Sequence, residues 1–283
     1  MKEPLFRIIS LESFISLCIS GKERFVNPID IWDDTYEGYM LRGLDSEIGI
    51  EKTINQVYQK FDCNVESTID NLSKLLRARY SCFAQSWSTL PDSDAMWRIY
   101  SYNNHGIQIC TNENQIRNMI ESNNIDGGII RIRPVIYDDS ITRIDDLIYS
   151  GSNIDEAYFH KRKAFEHECE TRVILQLTKD YLDYTSFANS IIKHNYRRNK
   201  TKTTEIRKIS NAVQKTMGND LSGMYKFFFH SDLHLNIPSV SDYICTVKVH
   251  PLAEKWYEDL IKEICLKYNI QFAGKSNLYN KSW

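Results

Sequence analysis

From Phe165 to Leu175 the chain reads FEHECETRVIL, a run of acids around a histidine and a cysteine that leads straight into Val173-Ile174-Leu175. A strand that begins near Glu168 places Glu168, Glu170 and Arg172 on one face and His167, Cys169, Thr171 and Val173 on the other. Such a face has three readings. It is a solvated charge stripe in which Arg172 neutralises both acids. Or the two carboxyls repel each other, one is pushed up in pKa while Arg172 keeps the other ionised, and the pair does acid–base or electrostatic chemistry. Or Glu168 and Glu170 hold a divalent metal with His167, although His167 points to the opposite face.

A second cluster lies at residues 81–101, SCFAQSWSTLPDSDAMWRIYS. A strand ending at Ser86 is followed by a helix that presents Met96 and Tyr100 at i and i+4, with Trp97 beside them. Core packing explains Trp97. Aromatic rings next to hydroxyls at a strand end also suit a pocket that stacks a flat ring, with Trp97 and Tyr100 as its walls. A third candidate is Trp32-Asp33-Asp34-Thr35-Tyr36-Glu37-Gly38. Its composition is that of a turn, and Glu37 is its candidate binding or metal-ligating residue.

The surroundings of these clusters narrow the chemistry. A formal net charge of −2 gives no global reason to bind nucleic acid or membranes. No apolar run approaches a bilayer span, and the opening MKEPLFRIISLESF lacks the continuous apolar core of a signal peptide. The seven cysteines are scattered, and none forms a CxxC. Reduced thiols and a cytoplasmic location are expected, and no metal centre of the zinc type is. Neither GxGxxG, GxxxxGK[ST] nor GxSxG occurs.

The elements that must position the clusters read as follows. Leu5–Ile9 is a strand. Ser10 caps a helix through Ile19 that Gly21 stops. Arg24–Val26 is a strand broken by Asn27-Pro28, and Lys52–Ala78 is helical. Tyr80–Ser86 is a strand, and Pro91–Asp94 caps the helix through Tyr100. Gly106–Cys110 is a strand, Asn112 starts a helix, and Gly127–Tyr137 is a strand broken at Pro134. Glu156–Glu166 reads as a helix, Thr171–Leu177 and Ser241–Val249 as strands, and Pro251–Lys267 as a helix. Short strands interleaved with helices, without a regular βαβ rhythm, imply an α+β fold of short mixed or antiparallel strands. The chain reads as one domain, 1–283, with a polar, helical insertion at about 178–235. That insertion carries Lys193, Arg197, Arg198, Lys200 and Lys202, a candidate nucleic-acid contact, although charge-rich insertions are most often solvated helices.

The order LFRIIS, RFVNPIDIWDDTYEG, CFAQSWSTLPDSDAMWRIYS, GIQI, KRKAFEHECETRVIL, VHPLAEKWYEDLIK and KSNLY resembles the bacterial family called domain of unknown function 2971, over almost the whole chain except the insertion. Asp34-Thr35-Tyr36-Glu37 stands where that family tends to have Asp-Pro-aromatic-Glu, and Phe165 stands for its tryptophan. The order of parts is also similar to that of ADP-ribosyltransferases of the arginine–serine–glutamate type. That resemblance implies Arg7 as the arginine that binds a phosphate of NAD, Ser86 as the serine that supports the nicotinamide ribose, and Glu170 as the catalytic acid with Glu168 two positions earlier; Arg172 joins them from the strand-face reading above. It implies NAD as substrate, an unknown protein or nucleic-acid acceptor, and a role as a toxin or in phage defence. Two alternatives stay open: a metal-dependent nucleic-acid-processing enzyme using Glu37, Glu168 and Glu170, and a non-catalytic nucleic-acid-binding module.

Overall fold

A computed structural model describes residues 3–42, 75, 78, 79, 81–125, 128–140, 154–177 and 232–279. Its strands are β1 (Pro4–Ile9), β2 (Lys22–Val26), β3 (Cys82–Ser88), β4 (Ile107–Asn112), β5 (Ile129–Pro134), β6 (Ile136–Tyr137), β7 (His160–Lys161), β8 (Glu170–Gln176), β9 (Asp232–Asn236), β10 (Thr246–Val249) and β11 (Phe272–Lys275). The helices are α1 (Leu11–Ser20), α2 (Pro28–Ile31), α3 (Tyr39–Arg42), α4 (Asp94–Tyr100), α5 (Glu113–Ser122), α6 (Val240–Tyr243) and α7 (Lys255–Lys267). The fold is α+β.

Side-chain caps set several of these boundaries. Ser10 accepts from Ser13 N–H at the start of α1, and Gly21, at φ +60°, ends it in the left-handed region open to glycine. Ser93 caps α4 and Asn112 caps α5 in the same way.

Among the described residues one sheet runs in the order β11-β10-β4-β1-β3-β2-β9, and β8 and β5 branch from β3. Alternation gives the sheet two different faces. Leu5, Phe25, Phe83, Trp87, Ile107, Ile109, Val173, Leu175, Val247 and Val249 belong to one buried apolar cluster, with Phe14, Leu17 and Cys18 of α1, Ile116, Met119 and Ile120 of α5, and Tyr257, Ile261 and Cys265 of α7. Each such fully buried side chain contributes about 1.5–3 kcal/mol. Ser86, Ser88, Glu170 and Arg172 lie on the opposite face, where register places Ser86 across from Arg172 and Ser88 across from Glu170.

The sheet forks at β3. β8 pairs with all of β3, from Cys82↔Gln176 to Ser88↔Glu170. The other edge of β3 is shared. β1 meets it only at Phe6↔Ser88 and β2 only at Val26↔Ala84. Thr89 N–H donates to Cys169 O and Leu177 N–H to Ser81 O, so odd-numbered residues of β3 turn their main chain to β8 and even-numbered ones turn theirs to the forked edge. Ser86 lies between the two single pairings, and neither β1 nor β2 pairs with it. Side chains bridge the gap: Gln85 Nε2 donates to Arg24 O, and Trp87 Nε1 donates to Gln85 Oε1.

Three expected elements differ. Instead of one helix over 156–166, two 3₁₀ turns, Ile154–Phe159 and Lys163–Glu168, flank β7, because His160 and Lys161 pair with Ile136 and Tyr137 of β6. The expected strand 241–249 begins as α6, since the Ser239 side chain caps Asp242 N–H, and only Thr246–Val249 is extended. The acid strand starts at Glu170 rather than Glu168. The end of the expected insertion is also revised: Asp232–Asn236 pairs with β2 as β9. The rest of that insertion, with Lys193, Arg197, Arg198, Lys200 and Lys202, lies outside the described residues, as does most of the expected helix 52–78.

Candidate functional site

The opposite face of β3 and β8 carries a buried charge cluster. Glu37, Lys161, Glu168, Glu170 and Arg172 are each at most 8% exposed. Arg172 Nε donates to Glu170 Oε1 at 2.6 Å and Nη2 to Glu170 Oε2 at 3.1 Å; Nη1 donates to the Tyr158 carbonyl at 2.6 Å. Its guanidinium also pairs with Glu37 at 3.0 Å and lies 4.0 Å from the Trp32 ring centre. Lys161 Nζ donates to Glu168 at 2.7 Å and Glu170 at 3.1 Å, and stands 3.6 Å from Glu37. Buried charges persist only with such partners.

Each member arrives by a local device. Arg42 donates to the carbonyls of Ile29, Trp32, Asp34 and Glu37, which ties the Asp-rich loop into one shape. Gly38 follows at φ +60°, where an added Cβ would come within 2.5 Å of Ile29 Cδ1 and force that side chain to shift; glycine takes this conformation without strain. The expected strand alternation does not bring Glu168 to Glu170. Glu168 ends a 3₁₀ turn, and Cys169, at φ 44° in the left-handed region, links that turn to β8. Tyr137 Oη accepts from Glu170 N–H at 2.8 Å and fixes the first residue of the strand.

Charges and burial split the carboxyls. Burial would raise Glu170, but Arg172 first, then Lys161 and the Ser86 hydroxyl, hold it down to about 2. Burial dominates at Glu37 and raises it above its ordinary value, with Glu170 adding to the rise and Arg172 and Lys161 opposing it. Burial would lower the Lys161 ammonium, yet Glu170, Glu37 and Glu168 raise it.

A cleft of ≈ 270 Å³ opens onto one side of this cluster, at the fork of the sheet. Arg7, Ser86, Tyr100, Glu168 and Glu170 all border it, with Phe6, Trp32, Trp87 and Met96 as apolar walls. Tyr100 Oη lies 3.4 Å from Glu168 Oε1, and burial followed by Glu168 pushes its pKa up to about 12. Arg7 pairs with Glu23 at 2.9 Å over the Trp87 ring.

Three expected site residues do not border the cleft. Glu37 and Arg172 stand behind Glu170, with the Arg172 guanidinium between the two carboxylates. Trp97 is fully buried; its Nε1 donates to Asp92 and its ring packs edge-on against His250. One residue apart from Met96 on a seven-residue helix is enough to turn it to the other side. His167 is exposed in the 3₁₀ turn. Trp32, part of the Asp-rich loop singled out in the sequence, belongs to the site, as do Lys161 and Tyr137, which the sequence did not single out: Lys161 lies on a two-residue strand, too short for a periodic pattern. Among the described residues no group of three or more His, Cys, Asp and Glu is arranged to hold a metal ion, and the places between the carboxylates are taken by Lys161 and Arg172. No helix among them is long and apolar enough to cross a membrane.

Residues 96–173 match the family described as protein of unknown function (DUF2971). The matched span includes Tyr100, Lys161, Glu168, Glu170 and Arg172, and excludes Arg7, Glu37 and Ser86. No curated protein and no solved structure matches the chain.

Proposed function

We propose that the chain is an ADP-ribosyltransferase-like enzyme that cleaves the nicotinamide–ribose bond of NAD. The observation that carries this reading is that Arg7, Ser86, Glu168 and Glu170, scattered over the sequence, border one cleft. The cleft offers opposite chemistry at its two ends. Arg7 and Arg24 are cations suited to a diphosphate, while Glu168 and Glu170 face the position of a sugar. Ser86 supplies main-chain N–H and C=O at the open edge of β3, the two groups a planar carboxamide pairs with, and the aromatic walls suit its ring.

In the reaction the C–N glycosidic bond breaks and its electron pair neutralises the pyridinium nitrogen. Positive charge develops on the ribose, as in other oxocarbenium-like displacements. Glu170, held ionised by Arg172 and Lys161 in a buried setting, stabilises that charge without reorganising. Water or the hydroxyl, amine or guanidine of an acceptor then adds to the ribose carbon and releases a proton. Lys161 and Arg172 occupy the places between the carboxylates, which favours this chemistry over one that needs a divalent metal.

The test is nicotinamide release from NAD by the purified chain, with water and with cell extract as acceptor source. Glu170→Gln keeps the shape and removes the charge, so the rate is expected to fall about a hundredfold or more, with a melting curve recorded alongside. Slowed growth of a bacterial host expressing wild type, relieved by the same substitution, would fit a toxin or phage-defence effector. A wild-type chain that releases no nicotinamide under either condition ends this reading.

A further inference from the structure

Lys161 enters the chemistry above only as one of two cations that hold Glu170 ionised, yet it also contacts Glu168 and Glu37. It sits on β7, does not border the cleft, and is 8% exposed. The charged and titratable groups facing its ammonium come from every neighbouring element. Glu37 comes from the segment between α2 and α3 at 3.6 Å, Glu168 from the 3₁₀ turn at 2.7 Å, and Glu170 from β8 at 3.1 Å. Arg172 of β8 shares the last two-sided contact through Glu170 and Glu37. The hydroxyls of Tyr100 on α4 and Tyr137 on β6 stand within its field, and the Phe165 ring centre lies 4.8 Å away.

Three carboxyl groups therefore meet two cations. With every group charged, the cluster carries a formal −1, and two of its three acids face the cleft. Without a cation between them, Glu168 and Glu170 would repel and part or take up a proton. We infer that Lys161 is a positioning residue that clamps Glu168 and Glu170 side by side at the cleft, and that Glu37 behind it sets the charge balance under which the clamp holds. The catalytic consequence rests on the NAD reading; the clamp and the balance do not.

The experiment compares wild type, Lys161→Met, Glu37→Gln and the double variant. Removing Lys161 takes the formal charge from −1 to −2, and adding Glu37→Gln returns it to −1. Thermal melts are recorded from pH 4 to pH 8. In Lys161→Met the Glu170 and Glu37 carboxyls lose a cation that holds them ionised, so their folded pKa values rise. A group raised in the folded state stabilises at low pH, and that stability is lost as pH rises through its folded value. The variant should therefore melt near wild type at pH 4 and progressively lower toward pH 8, and the double variant should recover at least half of the difference at pH 8. A lysine that merely fills space predicts parallel curves at all pH values and no rescue, and either result overturns the inference. Failure of Lys161→Met to fold at pH 8 with folding at pH 4 is the expected result in its strongest form; failure at both overturns it. In the NAD assay the acid limb of kcat should move up by about one pH unit or more in Lys161→Met and back in the double variant. Wild type without nicotinamide release, but with diverging and rescued melting curves, removes the NAD reading and leaves the clamp standing.

Discussion

Two arginines of the sheet have the same kinds of neighbours and different roles. Arg7 on β1 lies 4.4 Å from the Trp87 ring centre and pairs with Glu23 at 2.9 Å. Arg172 on β8 lies 4.0 Å from the Trp32 ring centre and pairs with Glu170 at 2.6 Å. Arg172 is 1% exposed, and Nε, Nη1 and Nη2 all donate to protein acceptors. Arg7 keeps 19% of its side chain exposed, borders the cleft, and has one carboxylate partner, Glu23. An arginine with all its donors engaged holds a carboxylate in place. One with a single carboxylate partner and part of its side chain open to a cleft is placed, on the NAD proposal, to receive an anion. Stacking on tryptophan orients both and so does not distinguish them.

The largest effect expected from this contrast is at Arg172. Arg172→Met leaves Glu170 and Glu37 buried with only Lys161 between them, and should cost about 3–5 kcal/mol in urea unfolding at neutral pH. The loss should shrink in acid. Glu170 is held at about 2 against an ordinary 4.5, so the pair's contribution is full above about 4.5 and disappears as pH falls toward 2. Equal losses at pH 3 and pH 7 would show that Arg172 acts by packing instead.

A smaller effect separates the turn from the strand. Cys169 at φ 44° is what lets Glu168 join the Arg172 side of the molecule. Cys169→Val, a β-branched residue in that region, should cost about 2 kcal/mol, whereas Cys169→Gly should be near neutral. Similar unfolding curves for the two variants would mean that the turn relaxes without loss.

The smallest change in stability is expected at Arg7. Arg7→Lys keeps a cation beside Glu23 and should alter stability by no more than about 1 kcal/mol, yet weaken NAD binding about tenfold by calorimetry, since an ammonium lacks the planar donor fork. If Arg7→Lys destabilises as much as Arg172→Met, the two arginines are both structural and the contrast fails.

Much of the scaffold was legible in the chain itself. Ser10 and Gly21 bracket α1, Ser93 and Asn112 cap α4 and α5, and the apolar run Val173-Ile174-Leu175 marks a buried strand. Short-range hydrogen bonds and side-chain periodicity decide these features, and both are written in adjacent residues. The same locality misled where a pattern was ambiguous. Residues 241–249 alternate like a strand, but Ser239 caps a helical turn through Tyr243; residues 156–166 resemble a helix, but β6 captures His160 and Lys161.

Local patterns in the chain were enough for the α+β class, the caps, the acid–arginine alternation of Glu170 and Arg172, and the placing of Arg7 and Ser86 on strands and Tyr100 on a helix. Long-range packing brings these residues to one cleft, turns Trp97 inward, and adds Glu37 and Lys161 to the cluster. The sequence separation between Glu37 and Glu170, or between Arg7 and Ser86, carries no local signal. Their meeting depends on how β1 and β2 fork from β3 and on which buried charges find partners, and both are set by the packing of the whole sheet.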